Sequence, residues 1–110
     1  MKIFKFDRFE LVCEYWERSR AWGHRAVLLD RGVELADVKV RYYNRTWERY
    51  TYQSAMREAV EKWHGEELAR YLERKREEFG GTFPRGAKKV AVENFELDGY
   101  KELVKAIEEY

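Results

Sequence analysis

The period of the hydrophobic pattern changes after Thr51, and that change limits what this chain can fold into. Before it, Phe9, Leu11, Cys13 and Tyr15 interleave with Glu10, Val12, Glu14 and Trp16. A repeat of this kind marks a strand, because successive side chains leave opposite faces. Turn chemistry follows over Ser19–Gly23, and a second, largely apolar strand runs from Trp22 or Arg25 through Leu29. Asp30-Arg31-Gly32 reads as a three-residue hairpin loop, with Gly where a positive φ is needed. A third strand spans Leu35 to Tyr43, with Ala36, Val38, Val40 and Tyr42 on one face.

After the change, Met56, Ala59, Val60 and Trp63 follow helical spacing, and Leu68, Tyr71, Leu72 and Phe79 prolong the stripe. Thr51 or Ser54 is placed to cap this helix. Gly65 either lies inside one long helix or ends the first of two. His64 beside it reads as a helix C-terminus, where an imidazole meets unpaired carbonyls. Gly80–Gly86 is a loop dense in breakers. Lys88–Val92 is predicted as a short edge strand, and Asp98 as the cap of a final helix carrying Tyr100, Leu103, Val104 and Ile107. The fold class is therefore α+β, one domain over residues 1–110. An antiparallel meander of three or four strands is backed by a long helix and a C-terminal helix in two layers. The sheet needs that cover, since three strands with one apolar face are not stable bare.

Composition narrows the function classes. Twenty-two Lys and Arg against twenty-one Asp and Glu leave a net charge of +1, so attraction to nucleic acid has to come from local segregation of charge. Cys13 is alone, which excludes a disulfide framework and a thiolate metal cluster, and it reads as a small buried hydrophobe. Without an apolar signal segment or a spanning window, a cytoplasmic location and no membrane partner are expected. A chain with 39% charged residues and only Asn44, Gln53 and Asn94 as amides leans toward a thermophilic source.

An enzyme is not expected. His24 and His64 stand apart from any metal-spaced or triad-like context, and Glu66-Glu67, Glu77-Glu78 and Glu108-Glu109 fall in surface-like helical segments. Acid–base work needs carboxylates in a dry pocket with separated pKa values. The glycines of Gly80-Gly81-Thr82 follow a helix, whereas a phosphate loop follows a strand and opens a helix. No cofactor, metal or small-molecule substrate is implied.

The tract Val38–Ser54 carries the strongest chemical signal. Its odd positions are Lys39, Arg41, Tyr43, Arg45, Trp47 and Arg49, a row of cations and aromatics on one face of a strand. Guanidinium groups fork phosphate oxygens and aromatic rings stack on bases. These residues, with Arg20 and Arg25, form the candidate nucleic-acid surface; Arg18 and Trp22 repeat the chemistry nearby. Glu17 and Glu48 temper the charge. Tyr43, Trp47 and Tyr50 also suit packing against the long helix under arginine stems. Arg, Tyr and Trp equally serve protein interfaces, so a homodimer through the sheet edge or the long helix competes with nucleic acid as partner.

The run Val40 to Ser54, with its Asn44-Arg45-Thr46-Trp47-Glu48-Arg49-Tyr50-Thr51-Tyr52-Gln53-Ser54 segment, resembles small uncharacterised proteins of phages, plasmids and integrated mobile elements. There a strand ending in a similar stretch leads through an aromatic-Gln-Ser step into a helix. The likeness covers roughly residues 9–64. It implies a mobile-element accessory protein and brings no catalytic residue or ligand.

Overall fold

The computed structural model describes residues 1–43 and 52–110; of Tyr42 and Tyr43 it describes the strand path alone. Four strands, β1 (Lys2–Phe6), β2 (Phe9–Arg18), β3 (Ala21–Asp30) and β4 (Val33–Tyr43), form one antiparallel sheet in sequence order. Three helices follow: α1 (Tyr52–Glu78), α2 (Ala87–Asn94) and α3 (Tyr100–Glu109). The α+β class and the meander are as the alternation implies.

The additional strand is β1, not the Lys88–Val92 segment, which lies in α2. Lys2–Phe6 alternates too, with Phe4 turned inward and buried and Ile3 outward and half exposed. The edge-strand reading of residues 88–92 fails because Lys88, Lys89, Val90 and Val92 are all exposed and Ala91 alone is buried, one contact per helical turn rather than one face of a pleat. The β3–β4 hairpin is tighter than expected. Asp30 pairs with Val33, leaving Arg31 and Gly32 as a two-residue turn with φ of 49° and 85°. Positive φ at both central positions is the turn whose twist matches the strands. A register shift between Leu28 and Leu29 then accommodates the extra residue in β4.

One face of the sheet packs on α1. Leu11, Cys13, Ala26, Leu28 and Ala36 point inward and meet Ala55, Met56, Ala59, Val60 and Trp63 of the helix. Leu103 and Ile107 of α3 close the core, and Gln53 Nε2 donates to the Ile107 carbonyl at 2.7 Å, tying the start of α1 to the end of α3. Helix α1 runs unbroken through Gly65, an exposed position with nothing near its missing side chain. His64 is therefore inside the helix rather than at its end. Its ring stacks on Tyr100 at 4.3 Å and meets Phe95 at 5.4 Å. Ser54 lies within α1 and does not cap it, and Thr51 lies outside the described residues.

Asp98 does not cap α3 either. The cap position is Gly99, at φ 84° and with no side-chain bond. The Asp98 carboxylate instead accepts from Arg8 Nη1 at 2.7 Å, joining the β1–β2 turn to the entry of α3. A side chain at Gly99 would stand 2.7 Å from the Phe9 ring, so the close approach of α3 to β2 requires glycine here.

Candidate nucleic-acid interface

The sheet face away from α1 is organised by register. Trp16 on β2 pairs with Gly23 on β3, which pairs with Arg41 on β4. One row nearer the middle of the sheet stand Glu14, Arg25 and Lys39, and one row further out Arg18, Ala21 and the backbone of Tyr43. The central strand thus contributes Gly23 and Ala21 where its neighbours contribute long side chains. The result is a shallow depression lined by Trp16, Arg18, Lys39 and Arg41.

Gly23 makes this arrangement possible. A Cβ there would run into the Val40 carbonyl and stand 2.8 Å from the Trp16 indole, so the ring lies over a position only glycine can fill. Lys39 then crosses the same bare stretch of β3, and its Nζ sits 4.4 Å from the Trp16 ring centre. The Trp16 Nε1–H is buried and has no hydrogen-bond partner among the described residues. Aromatic, donor and cations meet at one end of the open face.

Arg25 is on this face and exposed, yet its charge is committed. Its Nε and Nη2 donate to the two carboxylate oxygens of Asp37 at 2.9 and 2.5 Å, a fork-to-fork pair across β3 and β4. That contact holds the Asp37 carboxyl below the usual carboxylate range and the guanidinium above its ordinary value.

The sequence-predicted residues therefore separate. Lys39 and Arg41 come together with Trp16 and Arg18, and Arg25 lines an adjoining depression with Glu14, Trp16 and Lys39. Arg20 is exposed in the β2–β3 turn, beside Arg18. Tyr43 ends β4, and Arg45, Trp47 and Arg49 lie outside the described residues. Trp22 falls on the other face from Gly23 and packs against Tyr15 at 6.3 Å. Trp16, the centre of the cluster, is missing from the odd-numbered row because it belongs to a different strand. Its signal was the pairing across Ser19-Arg20, which sets an outward-facing tryptophan opposite a glycine.

Other titratable groups are tied into packing. The Tyr100 hydroxyl donates to Glu61 at 2.6 Å, which pushes its pKa up to about 12. Burial pushes the Cys13 thiol up to about 11, so it stays protonated at neutral pH. Burial also lowers the pKa of His24, whose ring lies 4.6 Å from Tyr52 beneath the sheet. Among the described residues no group of three His, Cys, Asp or Glu is placed to hold a metal ion, and no helix is long and apolar enough to cross a membrane.

Comparison with protein-family models, with curated proteins and with solved structures finds no match for this chain.

Proposed function

We propose that this protein binds single-stranded nucleic acid on the open face of its sheet, with Trp16 as the stacking platform and Arg18, Lys39 and Arg41 as phosphate contacts. The observation that carries this reading is the Lys39 ammonium 4.4 Å from an indole seated on Gly23, with both arginines lining the same depression. An exposed cation–aromatic contact contributes about 0.5–1 kcal/mol. A base stacked on an aromatic ring contributes roughly 1–3 kcal/mol. A base therefore displaces Lys39 from the ring at a net gain, and the freed ammonium turns to a phosphate. Contacts of this type carry little sequence preference.

The resemblance of residues 9–64 to mobile-element proteins supplies the setting, an accessory factor that handles nucleic acid for such an element. Pairing of two copies along β4 has less support. Lys62 Nζ already donates to the Asp37 carbonyl of that strand at 3.0 Å, and the irregularity opposite Leu28 and Leu29 disturbs its straight run.

The test is fluorescence anisotropy with labelled single-stranded and duplex oligonucleotides across a salt series. Single strands are expected to bind more tightly, with log K falling against log salt at a slope of about −2, the value for contacts at Arg18, Lys39 and Arg41. Absence of binding to either probe at low salt refutes the reading. So does an unchanged affinity in a protein carrying both Trp16→Leu and Arg41→Gln.

A further inference from the structure

The second half of α1, beyond Trp63, is covered by α2 and by Phe95, whose ring lies 5.1 Å from that of Tyr71. Every buried residue of α1 lies at or before Trp63, and α2 buries only Ala91. Leu68, Tyr71 and Leu72 continue the apolar stripe but stay partly exposed. Phe79, Val90 and Val92 expose 49%, 54% and 42% of their surface, a concentration of large apolar groups on one small helical arm. Two helices in contact without a closed core leave apolar surface in water, and soluble proteins keep such surface for partners.

Between the two helices runs an open groove of about 520 Å³. Tyr71, Phe79, Val90 and Ala91 form its apolar lining, and the charged side chains that line it, Lys75 and Arg85, are both basic. Lys88 and Lys89 continue the positive charge along the exposed side of α2. Lys75 shares its charge with Glu78 at 3.2 Å, and the pairs Glu67–Arg70 and Glu73–Arg76 lie along the same helix. The charges lining the groove are those of Lys75 and Arg85, while Lys88 and Lys89 lie outside its lining together with Glu93.

We infer that this groove docks an acidic amphipathic helix of a partner protein, with apolar side chains in the groove and carboxylates against Lys75 and Arg85. An elongated trough of this kind matches the helix-in-groove mode of recognition, in which side chains at every third or fourth position fill the apolar floor. Opposite charge along the rim sets orientation and speeds encounter. A second copy of this chain is the weaker occupant, because two symmetry-related arms would bring basic rims together.

The probe is a synthetic amphipathic helix of about fourteen residues, four turns, with leucines on one stripe and glutamates elsewhere, compared with a twin in which lysines replace the glutamates. Binding is followed by amide chemical-shift changes on the intact protein. The acidic peptide is expected to bind at least tenfold more tightly than the basic one, with shifts confined to residues 71–94. Val90→Asp is expected to abolish binding with an unchanged circular dichroism spectrum. A protein carrying Lys75→Glu and Arg85→Glu is expected to prefer the basic peptide, and that reversal requires a folded protein. Equal binding of the two peptides, shifts elsewhere, or a concentration-dependent dimer that Val90→Asp dissociates each overturn the proposal.

Discussion

Lys39 reaches across β3 to set its ammonium nitrogen 4.4 Å from the centre of the Trp16 ring. The two residues belong to strands that do not pair, and they meet because Gly23 leaves the strand between them bare. Stacking and charge at this spot are separable by substitution. Trp16→Leu removes the stacking surface and is expected to weaken single-strand binding by roughly 1–3 kcal/mol while leaving the salt slope unchanged. Lys39→Gln is expected to flatten the slope by about 0.7, with the loss of affinity largest at low salt. Anisotropy titrations over a salt series distinguish the two. Equal slopes for Lys39→Gln and the parent would show that this ammonium does not move to phosphate.

Arg25 and Arg41 are both exposed arginines on the same sheet face; Arg41 lines one depression beside Trp16 and Lys39 with Arg18, and Arg25 lines an adjoining one with Glu14. Because Arg25 is forked onto Asp37, Arg25→Gln is expected to leave affinity within about twofold of the parent, and Arg41→Gln is expected to flatten the slope by about 0.7. Asp37→Asn removes the competing carboxylate. It should free the Arg25 guanidinium for phosphate, raising affinity and steepening the slope. A loss of affinity in the folded Asp37→Asn protein would argue against this face.

The alternation from Phe9 to Tyr43 and the helical spacing from Met56 made the sheet and its covering helix legible, because both patterns report which side meets a core. Edge and end features were less legible. Lys2–Phe6 has one buried residue, Phe4, too little periodicity to announce a strand. Ala87–Asn94 hides its helical spacing for the same reason, with Ala91 alone inside. Asp98 has the chemistry of a cap, and only the proximity of Arg8, ninety positions away, shows that its carboxylate is used elsewhere. The candidate site was half legible. Lys39 and Arg41 stand in one strand's pattern, but Trp16 joins them through register across β3, which a single-strand reading does not contain.

Two glycines should respond to alanine in opposite directions. At Gly23 a Cβ meets the Val40 carbonyl and the Trp16 ring, and backbone cannot yield as a flexible side chain does. Gly23→Ala is expected to destabilise by at least about 1–3 kcal/mol, the range for overpacking, and to dislodge Trp16. Gly65 lies exposed in the interior of α1 with open space around it, so Gly65→Ala should stabilise by roughly 0.5–1 kcal/mol through helix propensity. Chemical denaturation of both variants checks the pair. Destabilisation by Gly65→Ala would place an unforeseen contact at that surface.

His24 gives the fold a pH dependence of definite sign. Its ring is 7% exposed, between Tyr15 at 5.7 Å and Tyr52 at 4.6 Å, and burial lowers its pKa from the ordinary value. In the unfolded chain it titrates near its reference value of about 6.5. Between that value and the lower folded one, the unfolded state binds the proton and the folded state does not. Stability is then fully present above about pH 6.5 and declines as the pH falls below it. The Asp37 carboxyl, also lowered in the folded state, adds its loss only further down, below the unfolded aspartate value of about 3.9. His24→Phe retains an aromatic ring against Tyr52 and removes the proton. Urea unfolding from about pH 7 to pH 5 should therefore show a falling midpoint in the parent and a flatter one in His24→Phe. A parent midpoint that rises on acidification would mean that the imidazole is better solvated in the fold than its burial implies.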